Sequence, residues 1–400
     1  MDPSLSINLI AEAVGFDDQQ LADAFETGML PTPARLQQLL AEAEIALFIG
    51  REALGQDLIR TAWYLHGVAS ADASIGLYPE SQQRQAFAVS AHIFDLACTQ
   101  SDADDVTKLS RAFASQVGFH RSGGEPNAGA IGRRMLPFLT DPVAGTFADR
   151  LPTLAISAGI SLLSLDAGTA AVRLRNWRRE LSGVTARLGT TDPEATIFGP
   201  TILVVNACYD LLRYLRQGVV TYLDRARQAL DRAVSEEHRG HDHLARWVAS
   251  HIRIIGDAVA LGSVWSLLPD GTPDAAKQAF TMTAPQILTL WPPQRRLLTN
   301  EGSAVDFGLS KRLVVGVPTS AGKTLIAQLL MVQHLANGGS GVCYVAPQRS
   351  LGREVRRAMV RRLRLLAREA SRLGPDQGLP TTGALAELLH KLSEWLTGRS

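Results

Sequence analysis

The stretch RLVVGVPTSAGKTLIAQLLMVQHLA, residues 312–336, decides the fold. RLVVGV (312–317) is a short apolar run with β-branched residues, the composition of a strand buried on both faces of a parallel sheet. PTSAGKT (318–324) is a turn of small residues. LIAQLLMVQHLA (325–336) has the apolar period of a helix, and Asn337-Gly338-Gly339 stops it. GVCYVA (341–346) then reads as a second buried strand, followed by Pro347 and another helix. Strand, crossover helix and strand form a βαβ unit, which implies a parallel sheet with a right-handed connection. The chain from about residue 285 to 400 is therefore expected to be α/β.

The turn carries the chemistry. Its position, after a strand and opening a helix, is the context in which backbone N–H groups converge on phosphate oxygens. Gly322 has no side chain to block that approach. Lys323 supplies a point charge to the β and γ phosphates of a nucleotide, and Thr324 offers a hydroxyl to Mg²⁺. The pattern G-x-x-x-x-G-K-[ST] is met except at its first position, which is Val317. That departure lowers the match to kinases and small GTPases.

With Pro318, Thr319, Ser320, Ala321, Gly322, Lys323 and Thr324 in sequence, the turn resembles motif I of superfamily 2 DEAD/DEAH-box helicases, and among them the large Ski-type DExH enzymes. Tyr344-Val345-Ala346-Pro347-Gln348-Arg349-Ser350-Leu351 resembles their motif Ia, with Gln348 in place of the usual Thr. Leu290-Trp291-Pro292-Pro293-Gln294 resembles the Gln motif. The resemblance implies a RecA-like domain that binds ATP with Mg²⁺. It also implies that Gln294 recognises adenine through its amide, that Arg349 touches a nucleic-acid backbone, and that the partner is single-stranded or duplex nucleic acid, DNA or RNA.

Hydrolysis needs an Asp-Glu pair to hold Mg²⁺ and position water, and an arginine finger. After Lys323 the only acids are Glu354, Glu369, Asp376, Glu387 and Glu394, none adjacent to another. The motor domain is therefore expected to be truncated, and these 400 residues to bind ATP while hydrolysing it negligibly.

Residues 1–280 read as helix after helix. Thr32-Pro33 opens one in TPARLQQLLAEAEIALFIG, and Asp192-Pro193 opens another. Gly76, Tyr78-Pro79 and Gly271-Thr272-Pro273 mark stops. LPTLAISAGISLLSL (151–165) is too short and too interrupted to span a membrane and is expected to be a buried helix. HRSGGEPNAGAIG (120–132) reads as a loop, which either divides this region into two lobes or decorates one. His238, His241, His243 and His251 lack metal-site spacing and are expected in a solvated loop, while Asp104-Asp105 reads as a helix-end charge pair. With no catalytic signature, the helical region is expected to be an accessory module for an unknown protein partner.

The net charge is +1, but residues 311–400 hold 14 basic against 5 acidic side chains, so the acidic excess lies upstream. Such asymmetry points to a polyanion near the C-terminal part. The helix after Arg349 is rich in arginine and is either a further phosphate contact or a solvated face. Arg greatly outnumbers Lys, which fits a GC-rich bacterial coding sequence. Three isolated cysteines and no signal peptide fit a reducing, cytoplasmic chain with no membrane association. The sequence thus expects a mainly α N-terminal region followed by a truncated α/β RecA-like P-loop domain. Its function is an ATP-dependent helicase or translocase, fused to a targeting module as in bacterial repair or phage-defence enzymes. Two alternatives stand beside it: a helical scaffold with a remnant or regulatory P-loop, and another class of P-loop ATPase.

Overall fold

The computed structural model describes residues 32–48, 55–76, 78–98, 104–139, 147–164, 166–188, 199–235, 243–268, 272, 274–299, 316, 322–336, 342–346 and 348–373. The chain divides into two compact units. One comprises Met1–Arg213 with Val220–Asp257; the other comprises Tyr214–Val219 with Ala258–Ser400.

The first unit is helical. Its elements are α1 (Pro33–Phe48), α2 (Gln56–Ile75), α3 (Glu80–Ala97), α4 (Asp105–Ser122), α5 (Glu125–Met135), α6 (Phe147–Leu163), α7 (Ala167–Leu188), most of α8 (Gly199–Gln217), α9 (Val220–Ser235) and most of α10 (His243–Leu261). Local signals set several ends. The Thr32 hydroxyl accepts from the Arg35 N–H at 3.4 Å at the start of α1. Gly76, at φ 74°, ends α2 in the left-handed conformation that favours glycine. Asp104 caps α4, its carboxylate accepting from the Thr107 N–H at 2.7 Å.

Helix α4 lies at the centre of this unit, with every residue from Leu109 to Phe119 buried. It packs on α3, α5 and α6. A helix buried all round must satisfy its polar side chains internally. The Ser115 hydroxyl donates to the Ala91 carbonyl at 2.7 Å and the Gln116 amide to the Ala128 carbonyl at 2.9 Å. Gly118 permits the close approach of α3: a Cβ there would lie 2.7 Å from the Phe87 carbonyl oxygen and 2.8 Å from the Ala91 Cβ. Leu154, Ile156 and Ile160 on α6 are buried, as the apolar run of 151–165 requires.

Two expectations are corrected in this unit. Residues 120–132 are not a long loop. Helix α4 runs to Ser122, Gly123 ends it at φ 85°, and α5 begins at Glu125 with Pro126 in its first turn, where a missing N–H costs nothing. His251 is not in a solvated loop. It sits on α10, 3% exposed, with its Nε2 3.4 Å from Nε2 of buried His66. Trp63, Phe87, Phe94, Phe113 and Trp247 surround the pair. Burial and then the Arg121 charge lower His66 to about 3, and burial, His66 and Arg121 lower His251 well below its ordinary value. Both rings are therefore neutral at pH 7, one donating N–H to the other. His243 opens α10, while His238 and His241 lie outside the described residues.

The second unit contains α11 (Val264–Leu267), α12 (Asp274–Thr281), α13 (Pro292–Leu298), α14 (Lys323–Ala336) and α15 (Arg349–Leu373). Its core gathers Val264, Phe280, Leu290, Leu329, Val332 and Leu363 from four helices and a connecting segment. Among the described residues no strand is formed, only an isolated antiparallel bridge between Ser263 and Thr289. The expected strand 312–317 lies outside the described residues apart from Gly316. The expected second strand has no regular secondary structure over its described residues 342–346, and Val345 is 86% exposed. A buried parallel strand needs a ladder partner, and no described residue pairs with 342–346.

Candidate nucleotide site

The site in the second unit is built from two segments separated in sequence. The first approaches through residues 288–290. The Val264 N–H donates to the Leu288 carbonyl at 3.1 Å, and the Leu290 N–H donates to the Gly262 carbonyl at 2.9 Å. Trp291 is extended and serves as N-cap of α13, with prolines in the first turn. Gln294, in the third position of that turn, reaches back so that its Oε1 accepts from the Trp291 N–H at 2.9 Å. Gln294 is 2% exposed.

The second segment is the entry to α14. Gly322 has φ 78° and turns the chain into the helix, its carbonyl accepting from the N–H groups of Leu325 at 2.9 Å and Ile326 at 3.2 Å. A Cβ at residue 322 would lie 2.1 Å from Gln294 Nε2. Gln294 therefore meets the turn itself. Glycine is required at 322 twice over, for its dihedral and for the space that the amide takes. Lys323 is exposed and Thr324 half-buried at the helix start. Ile326, Leu329 and Val332 anchor the other face of α14 in the core.

Of the residues expected from sequence, the fold brings Gln294 and Gly322 into contact, with Lys323 and Thr324 following directly. Pro318, Thr319, Ser320 and Ala321 lie outside the described residues. Arg349 is exposed and is the first residue of α15. The Gln294 amide is turned inward, its oxygen engaged by Trp291, so pairing with adenine would require it to leave that arrangement. The residues fit a nucleotide phosphate group and its Mg²⁺: a glycine with no room for a Cβ, a lysine and a hydroxyl at one helix entry.

One arginine of the helix after Arg349, expected to meet phosphate or solvent with the others, is instead buried. Arg362 on α15 is 3% exposed. Its Nε donates to Gln328 Oε1 on α14 at 3.2 Å, its Nη1 donates to the Ala279 carbonyl on α12 at 3.2 Å, and its guanidinium lies 4.4 Å from the Phe280 ring centroid. Burial, then the neighbouring Arg361 charge, lowers it to about 10, so it stays a cation at neutral pH. The signal was its spacing: Arg362 lies seven residues after Val355, on the same buried face.

Residues 302–390 match the family model for the DEAD/DEAH box helicase. The ATP-dependent DNA helicase Hel308 of Methanocella arvoryzae is 34% identical over 84 residues, 20% of this chain and 10% of that protein. Residues 302–390 are a superfamily 2 helicase-like region. The Hachiman protein HamB of Bacillus cereus is 23% identical over 185 residues, 44% of this chain and 16% of HamB. The chain thus spans a small part of the length of either relative. A helicase region of this family implies ATP use and nucleic-acid binding, and Gly322, Lys323, Thr324 and Arg349 all fall within it. Gln294 lies upstream of the matched residues and is joined to the helicase region by the fold. Among the described residues no helix is long and apolar enough to cross a membrane.

Proposed function

We propose that this chain supplies the ATP-binding front of an ATP-dependent DNA helicase or translocase. The observation that carries this reading is the meeting of buried Gln294 with Gly322 at the entry to α14. In this reading the turn 318–322 holds the phosphates through backbone N–H groups, Lys323 adds charge at the β and γ phosphates, and Thr324 gives its hydroxyl to Mg²⁺. Mg²⁺ held there would supply charge neutralisation to the phosphates. Gln294 braces the turn from α13, so that the glycine keeps its left-handed conformation when phosphate is absent. Arg349 contacts the nucleic-acid backbone. The likeness to Hel308, named as a DNA helicase, favours DNA over RNA. The helical first unit, with its self-sufficient core, acts as an accessory module that engages a protein partner.

The test is titration of a fluorescent ATP analogue with Mg²⁺ into the 400-residue chain and its Lys323→Ala variant. Binding weakened at least about tenfold in the variant, the loss of about 1.4 kcal/mol, supports the reading. Equal binding overturns it and favours a scaffold with a remnant turn. Turnover by the chain is expected to be negligible, since no Asp-Glu pair follows Lys323 in these residues. Robust hydrolysis abolished by Lys323→Ala would contradict that part.

A further inference from the structure

The described length of α15 has two unlike faces. Val355, Arg362 and Leu363 are buried, with Met359 packed beside them against the core. Arg349, Arg353, Arg356, Arg357, Arg361 and Arg364 are exposed. At about 100° and 1.5 Å per residue, these six fall within an arc of about 140° and a length of about 22 Å. Arg349, Arg353, Arg357 and Arg361 follow one another at four-residue intervals, one turn after the next. Glu354 is the single acid between residues 349 and 365.

Such a stripe is costly to leave unscreened. Like charges four residues apart on a helix repel, each by a few tenths of a kcal/mol. The planar guanidinium suits bidentate recognition of phosphate. The apolar side of the helix is already satisfied by its own unit, so the arginine face is not a buried surface awaiting a hydrophobic neighbour. Its sign, length and continuity with Arg349 fit a polyanion with regularly spaced charge.

We propose that the exposed arginine face of α15 is a phosphate track along which a single nucleic-acid strand lies, extending the Arg349 contact by three helical turns. This deepens the helicase reading above and rests on it. The contacts are to phosphates and carry no base preference, so binding is sequence-independent and strongly salt-dependent.

The test measures fluorescence anisotropy of a labelled dT20 oligonucleotide with the 400-residue chain over a series of NaCl concentrations. For the variant Arg353→Gln, Arg357→Gln, Arg361→Gln and Arg364→Gln, the slope of log K against log salt is expected to fall by about 3, at about 0.7 per lost phosphate contact. The same four positions changed to Lys are expected to keep the slope, which separates lost charge from lost folding. A control with Arg133→Gln, Arg175→Gln and Arg179→Gln, exposed in the first unit, is expected to keep it also. A wild-type slope in the stripe Gln variant overturns the track. So does an equal fall in the control, which would mean general basicity. A wild-type chain with no affinity at low salt, as when an acidic protein segment covers the stripe, overturns it as well. The ATP-binding reading is judged separately by Lys323→Ala, and Arg349→Ala alone weakening binding would leave that reading standing without the track.

Discussion

The side-chain amide of Gln294 occupies the space that a Cβ on Gly322 would need, with Nε2 2.1 Å from that position. Two motifs nearly thirty residues apart are thus locked at one point. Gly322→Ala is expected to remove nucleotide binding and to destabilise the second unit by at least about 1–2 kcal/mol, the cost of the left-handed conformation for a residue with Cβ. Adding Gln294→Ala relieves the clash but not the dihedral strain. Thermal denaturation of the two single variants and the double variant should therefore be non-additive, the double being more stable than the sum of the singles. Additive losses would separate the two residues.

The Arg362 guanidinium holds carbonyl or amide oxygens from α12 and α14. Arg362→Ala leaves these acceptors buried without their donor and is expected to cost about 2–4 kcal/mol. Arg353→Ala, on the exposed face of the same helix, is expected to change stability by less than about 0.5 kcal/mol. Urea denaturation of both variants checks the contrast.

His66 and His251 make stability depend on acidity. Unfolded histidine takes up a proton as pH falls through its ordinary 6.5, whereas folded His66 does so near 3. The stabilisation is fully present above about pH 7 and is lost as pH falls below 6.5, by up to about 1.4 kcal/mol per pH unit for each ring. Arg121 acts in the same direction on both. Denaturant midpoints at pH 7.5 and pH 5 are expected to differ more for the wild type than for His66→Gln. An equal difference would place the acid sensitivity elsewhere.

Gly118→Ala is expected to destabilise the first unit by about 1–3 kcal/mol, because α3 must retreat from a Cβ set against its backbone oxygen. Circular dichroism at 222 nm on heating measures this directly.

Signals that act within one turn of chain were legible in the sequence. Thr32, Gly76 and Asp104 each do locally what their chemistry suggests, and the helices they bound follow. The stretch 120–132 misled because Gly-Gly and Pro look like a loop, although two glycines suffice to turn one helix into the next and proline is welcome in a first turn. His251 misled through its neighbours in sequence, among them His238, His241 and His243: eight residues of helix from His243 carry His251 against Trp247. The turn from Gly322 to Thr324 could be read because glycine, lysine and hydroxyl are contiguous. The fit of Gln294 against Gly322 and the burial of Arg362 depend on long-range packing, which spacing alone does not reveal. The strand reading of 341–346 needs a ladder partner, and the expected one, 312–317, lies outside the described residues apart from Gly316.

Helix α14 and the arginine-rich helix α15 share one buried cation, Arg362. Arg362, rooted in α15, is bonded to Gln328 on α14 and ties the two elements at one buried point. A shift of α14 would therefore have to carry α15 with it or break that bond. ATP chemistry at one end of this unit and grip on a strand at the other would then report a single displacement.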